Sequence, residues 1–329
     1  MSHEIAVMGA GRMGRGIALS YIFAGIPVVL IDMKIRSSNE RQALTDSALN
    51  EIQRDLNFLS DMGLVENECI PDIMSLVSFS HRDATENPLK NARFIFEGVP
   101  EVLDAKREAF TYANEAAPDN AVIASTTSTF LVTDLSQLVK KPSRFMNAHW
   151  LNPAHLMPLI EISRSKETSQ SSLNEMIKSL ESVGKMPIVC SASAGYIVPR
   201  IQALAMNEAA RLVEEGVASA EDVDKAINVG FGIRFAVLGL LEFIDWGGGD
   251  ILYYASKYLA REVGERYEAP DIVRENMESG RNGLRDGQGF FDYSDVDVNS
   301  YRQQRMQDFV AQLRFKNLLP TYKPAAKDE

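Results

Sequence analysis

The sequence predicts a two-domain α/β protein, with a doubly wound, mainly parallel sheet over residues 1–191 and an all-helical second domain over residues 192–329. Up to Ser191, short apolar runs alternate with polar segments of helical periodicity, the pattern of a parallel sheet covered on both faces. From Ala194 onward long helical patterns prevail and strand-like runs are few. A chain of 329 residues with 45% apolar composition is too long for one small core and suits two of ordinary size.

Taken in order, Ile5 to Met8 is a strand-like run, followed by a glycine-rich turn, a helical pattern through Phe23, and a second strand-like run, IPVVLID. Further runs of the same kind are MSLVSFS, ARFIFEGV, NAVIAST, RFMNAHW and MPIVCSA, and the segment from Leu103 to Ala116 has helical periodicity. In the second domain IQALAMNEAARLVEEGV, SAEDVDKAINVG and DILYYASKYLAREVG read as helices, and the tail LPTYKPAAKDE as a frayed end. There is no internal repeat or low-complexity tract.

A formal net charge of −11 without any basic cluster argues against nucleic acid or an anionic membrane surface as partner. Only Cys69 and Cys190 occur, at no metal-like spacing, so neither a disulfide framework nor a metal site is expected. No run reaches the roughly 18 apolar residues of a membrane span, and the start MSHEIAVMGAG carries no basic segment ahead of a long apolar one. The expected location is the reducing cytoplasm.

The turn VMGAGRMGRG places Gly9, Gly11 and Gly14 after a strand and at the head of a helix, with Arg12 and Met13 between them. The first glycine permits a tight turn, the second admits a pyrophosphate to the backbone, and the third lets the helix pack closely. Free N–H groups at the helix head then meet the phosphates. Asp32 closes the next strand, 18 residues past Gly14, where a carboxylate accepts hydrogen bonds from both hydroxyls of an adenosine ribose. These features predict a Rossmann-type domain binding a dinucleotide, NAD rather than NADP, although Lys34 and Arg36 follow closely.

Two of the four histidines fall in MNAHWLNPAHLMPLIEIS, which sets His149 before Asn152-Pro153 and Glu161 between Ile160 and Ile162. Oxidising a secondary alcohol by hydride transfer needs a base for the hydroxyl proton, and an imidazole with a pKa near 7 suits the task. A carboxylate on one ring nitrogen holds the tautomer and stabilises the imidazolium; Glu161 is the candidate partner. His155 is expected to line the pocket or face solvent.

With the dinucleotide turn, His-x-x-Asn-Pro in the middle and a helical C-terminal half, the chain resembles the 3-hydroxyacyl-CoA dehydrogenase family over nearly its whole length. ASTTSTF, HWLNP and LIEIS reproduce that family's order and spacing. The resemblance assigns Ser128, His149 and Glu161 to catalysis, with Ser128 and Asn152 bonding substrate oxygen or cofactor; Thr127 and Thr129 compete with Ser128 for its role. It also assigns Glu101 and Lys106, in EGVPEVLDAK, to the nicotinamide side, and likens GLRDGQGFFDY to a glycine-rich closing motif. A homodimer is implied, with the segment FAVLGLLEFIDW leading the apolar faces that pair.

Three departures bear on the substrate. Where the family has Gly-[Phe/Tyr]-x-x-Asn-Arg, this chain reads GYIVPR, so Pro199 replaces a side-chain amide; Arg200 remains, and Asn207 lies two helical turns later. The segment Glu51 to Asp72 holds six acids and one base, Arg54, a poor surface for a phosphorylated CoA handle. Arg234, in GFGIRFAVLGLLE, is suited to grip a free carboxylate. The expected activity is oxidation of a short L-3-hydroxy acid unit to the 3-oxo product. The substrate is a free acid such as 3-hydroxybutyrate or a 3-hydroxyacyl-CoA such as 3-hydroxybutyryl-CoA. A non-catalytic NAD-binding protein is the rival from another class.

Overall fold

The computed structural model describes residues 4–320, so the stretch of the expected frayed tail past Pro320 lies outside the described residues. Strands β1 (Ile5–Met8), β2 (Val28–Asp32), β3 (Val77–His81), β4 (Phe94–Glu97), β5 (Val122–Ser125), β6 (Phe145–Trp150), β7 (Leu159–Arg164) and β8 (Met186–Ser191) form one sheet in the order 3-2-1-4-5-6-7-8. Neighbours from β3 to β6 run parallel. β7 turns back antiparallel to β6, and β8 runs parallel to β7. The helices between strands are α1 (Arg12–Phe23), α2 (Ser38–Asp61), α3 (Ile70–Met74), α4 (Leu103–Ala116), α5 (Val132–Ser136) and α6 (Gln170–Glu181).

The central strands β1, β2 and β4 are largely apolar because both of their faces are covered, whereas β8 at the edge is mostly exposed. Ile5 and Val7 of β1, with Val28 and Leu30 of β2, join a core that also holds Ile17, Tyr21, Ile52 and Leu180. Their neighbours Ala6, Met8, Val29 and Ile31 join a second core with Ala109 and Ala113 of α4. Alternation along a strand thus feeds opposite layers. Phe96 and Trp150 meet edge to face at 5.8 Å in the first core, both fully buried; truncating either to Ala would cost about 3–5 kcal/mol. Order reverses between β1 and β4, so the crevice beyond their carboxyl ends is where this architecture binds ligands.

The chain divides into two compact units, Met1–Ala205 and Met206–Glu329. Residues 192–205, which the sequence reading places with the helices, therefore pack with the sheet. Their anchor is the turn before α7 (Val198–Glu214), where Tyr196, Ile197 and Val198 bond to Thr127 and Glu161.

The second unit is helical: α8 (Ala220–Ala226), α9 (Gly232–Val237), α10 (Leu240–Gly247), α11 (Gly249–Glu262), α12 (Asp271–Glu278) and α13 (Val298–Phe315). A π-helical turn, Ile227–Phe231, joins α8 to α9 without a break. The closing motif wraps the buried Asp245, whose carboxylate accepts the N–H groups of Phe290 and Phe291 and the Tyr293 hydroxyl. A Cβ at Gly289 would stand 2.2 Å from Asp245 Oδ1, so the motif's glycine answers a packing demand. Among the described residues no single helix is long and apolar enough to cross a membrane.

Candidate active site

The glycine turn forms as expected. Gly9 bonds to the carbonyl of Ile31 and has φ 117°, and a Cβ there would stand 2.5 Å from the carbonyl oxygen of Gly98, just past β4. At Gly14 a Cβ would fall 1.9 Å from the Gly9 carbonyl oxygen, so α1 packs on the turn only because that position is bare. Gly11 faces open space. The turn borders a cleft of about 350 Å³ lined also by Arg12, Met13 and Asp32, and the first N–H groups of α1 have no partner within the helix. This arrangement, closed at two glycines and open at the third beside a helix N-terminus, fits the pyrophosphate of a dinucleotide.

Asp32 is buried at the end of β2. Its Oδ2 accepts Arg36 Nε at 2.7 Å and its Oδ1 the Lys34 N–H at 3.2 Å. Arg36 thus turns onto the carboxylate expected to hold the ribose. His81, its register partner on β3, brings Nδ1 to 3.8 Å from the same carboxylate.

A second group lies where β4 and β5 end. Glu97 and Lys106 are fully buried; Lys106 Nζ stands 3.1 Å from Glu97 Oε2 and 3.2 Å from Glu101 Oε2. Glu97 also accepts the Ser125 hydroxyl and the Val99 N–H. Glu101 accepts the hydroxyls of Thr127 and Thr129 and the N–H groups of Ser128 and Thr129. Burial alone would raise its pKa, but Thr127, Thr129 and the Lys106 ammonium outweigh burial and hold it down to about 2. The expected Glu101, Lys106 and Ser128 therefore meet, with Ser128 exposed and its neighbours Thr127 and Thr129 supplying the hydroxyl bonds to Glu101. Glu97 escaped the sequence reading; a lone acid at the end of the apolar FIFE run was the available signal.

The histidine and its carboxylate come together through the β6–β7 hairpin. Antiparallel register sets His149 opposite Glu161, which accounts for the twelve-residue spacing and puts both side chains on one face. His149 Nδ1 lies 2.9 Å from Glu161 Oε2, and both residues are buried. Glu161 Oε1 accepts the N–H groups of Ile197 and of Val198, the first residue of α7, at 2.9 and 2.8 Å. Three donors thus satisfy a fully buried carboxylate that would otherwise be costly. A carboxylate only accepts, so the ring hydrogen of the neutral imidazole sits on Nδ1 and Nε2 carries the lone pair. Tyr196, which the sequence reading passed over, stacks on the imidazole.

Beyond His149, exposed Asn152 precedes a cis bond to Pro153. His155 is half-buried, and burial, opposed by Asp55, pushes its imidazole down. The buried Lys185, also unforeseen, donates to the carbonyls of Ala154, His155 and Met157. Pro199 occupies the first turn of α7, where a missing N–H is tolerated. In the second unit Arg234 is exposed, with its guanidinium 5.8 Å from the Phe243 ring centroid, and Asn207 is exposed on α7. Glu51 of the acidic segment pairs with Arg15 at 2.7 Å.

The family model described as 3-hydroxyacyl-CoA dehydrogenase, NAD binding domain, matches residues 4–193, and its C-terminal-domain counterpart matches residues 195–293. The chain is 26% identical over 312 residues to the 5-formyl-3-hydroxy-2-methylpyridine 4-carboxylate 5-dehydrogenase of Mesorhizobium japonicum, covering 94% of this chain and 97% of that protein. To the 3-hydroxybutyryl-CoA dehydrogenase of Clostridioides difficile it is 27% identical, with coverage of 88% and 99%. A solved 3-hydroxyacyl-CoA dehydrogenase of Archaeoglobus fulgidus superposes with a TM-score of 0.76 at 30% identity, covering 96% of this chain and 99% of that one.

Proposed function

Because the chain belongs to the 3-hydroxyacyl-CoA dehydrogenase family, and is an oxidoreductase that uses NAD, we propose that it oxidises the 3-hydroxyl of a short L-3-hydroxy acid with His149 as general base. The observation that carries this reading is the buried His149–Glu161 pair, 2.9 Å apart and braced by two backbone N–H groups. Bound NAD supplies the hydride acceptor. His149 Nε2 takes the hydroxyl proton, Glu161 stabilises the imidazolium that results, and the pair returns the proton in the reverse direction. Gly9, Gly11 and Gly14, with Arg12 and Met13, cradle the pyrophosphate, and Asp32 holds the adenosine ribose. Glu101, Lys106 and Asn152 meet the nicotinamide side, and Ser128 and Asn152 bond the substrate oxygen.

For the acyl end the reading is a free carboxylate, gripped by Arg234. Three observations support it: the exposure of Arg234 without an ion pair among the described residues, the amide lost at Pro199, and the acids between Glu51 and Asp72. The Mesorhizobium relative is named for a free carboxylate substrate. The relatives named for 3-hydroxybutyryl-CoA support the other reading, a CoA thioester. Initial rates of NADH formation on 3-hydroxybutyrate and on its CoA ester decide between them. A higher kcat/KM on the ester overturns the free-acid reading, and turnover of neither leaves the non-catalytic rival standing. Arg234→Met should raise KM for the free acid and spare the ester; an equal effect on both discards the clamp. Asn207 is the remaining substrate contact in this reading.

We also propose a homodimer through the second unit. On α11, Ile251, Tyr254 and Tyr258 recur at helical spacing with more than half of each exposed. A monomer in sedimentation equilibrium would remove that reading.

A further inference from the structure

The turn Gly195–Val198 touches both members of the catalytic pair. Its last two residues give their N–H groups to Glu161, while the Tyr196 ring lies over His149 with centroids 4.9 Å apart and planes 10° from parallel. The Tyr196 hydroxyl donates to the Thr127 carbonyl at 2.7 Å and accepts from Asn147 Nδ2 at 3.1 Å. Asn147 precedes His149 by two residues on β6, so one aromatic side chain covers two consecutive positions of the same strand face. Tyr196 holds φ 46°, a left-handed conformation unfavourable to a bulky residue, directly after Gly195 at φ 76°. That conformation persists because the ring, the hydroxyl and the following N–H groups are all engaged. The hydroxyl proton is committed to Thr127, and burial pushes its pKa up, so Tyr196 is not itself a proton donor to substrate.

Building on the reading of His149 as base, we propose that Tyr196 is a positioning residue: its ring fixes the plane of the imidazole and favours the protonated form, while its hydroxyl ties the Ser/Thr turn to β6. The face of a phenol ring is electron-rich and attracts a cation stacked on it. The imidazolium formed during turnover gains from that face, whereas the neutral ring gains less. The titratable groups around the imidazole are Glu161 on β7, Tyr196, and, acting on these two, Cys190 on β8 and Glu101.

Titration of the His149 ring by NMR in the free protein tests this without substrate, with the resonance assigned by its absence from His149→Gln. Tyr196→Leu keeps bulk and loses the ring; it should lower the imidazole pKa by about half a unit. Tyr196→Phe keeps the ring and should titrate with the wild type. An unchanged pKa in the leucine variant, or an equal shift in both, overturns the proposal. Should the leucine variant not fold, Tyr196→Trp decides instead: the stronger ring should raise the pKa, and no rise overturns it. The reading of His149 fails separately, if His149→Gln turns over at the wild-type rate.

Discussion

Two fully buried carboxylates in the first unit, Glu97 and Glu161, are satisfied in opposite ways. Glu97 faces the Lys106 ammonium, with Ser125 and the Val99 N–H completing its shell. Glu161 faces the imidazole of His149 and takes its remaining bonds from backbone. The first arrangement stores a balanced charge and holds β4 and α4 in register. The second leaves one nitrogen free to gain and lose a proton while the carboxylate's environment stays constant. Burial is alike at the two carboxylates, and what differs is the partner: an ammonium that only donates in one case, a ring with a second nitrogen in the other.

Breaking the pair proposed for catalysis should give the largest effect. His149→Gln is expected to lower turnover about 10²–10⁴-fold, with NAD affinity retained by fluorescence titration; wild-type turnover would erase the contrast. Lys106→Met should instead act on stability. It strands Glu97, and urea unfolding should report a loss of about 3–5 kcal/mol. A loss below about 1 kcal/mol would mean that Glu97 takes up a proton or water at little cost.

Glu161→Gln comes next. Its amide donor, set against Nδ1, drives the proton to Nε2, the wrong tautomer for a base. A fall of about 10²-fold in kcat is expected, with the NAD dissociation constant unchanged.

Two smaller effects sharpen the comparison through pH. Lys185 is a buried ammonium whose bonds run to carbonyls, and burial pushes its pKa down from 10.5 to about 8. Between those values the unfolded chain holds more protons, so its contribution to stability is full above 10.5 and lost as pH falls through about 8. Lys185→Met should flatten that alkaline rise in denaturation curves. Glu101, held down to about 2 from 4.5, contributes fully above 4.5 and loses that contribution as pH falls through about 2. The stability gap between wild type and Glu101→Gln should therefore narrow only in acid; a gap independent of pH would assign it to shape rather than charge.

Much of this was legible in the residues. Apolar runs alternating with helical periodicity foretold the sheet because both of its faces are covered, and α4 has the expected bounds, Leu103 to Ala116. The glycine turn was legible because each bare position meets backbone or opens to the cleft. The spacing from His149 to Glu161 was readable as a motif, and the hairpin register explains it. Tyr196 was visible as the aromatic of the GYIVPR motif, but its role was hidden because it depends on a left-handed backbone and on contacts to distant strands. The membership of residues 192–205 was hidden for a related reason. Helical periodicity records a local preference, whereas the bonds that hold this segment reach back to Thr127 and Glu161.

The π-turn Ile227–Phe231 amounts to one extra residue let into an otherwise continuous rod, upstream of Arg234. A π-turn takes up its extra residue by widening, so the rod beyond keeps its phase; deleting one residue from the regular winding of α9 before Arg234 would instead swing the guanidinium by about 100° around the axis. The guanidinium would keep its charge and its helix yet point elsewhere, so such a deletion asks whether direction alone governs the carboxylate grip proposed for Arg234.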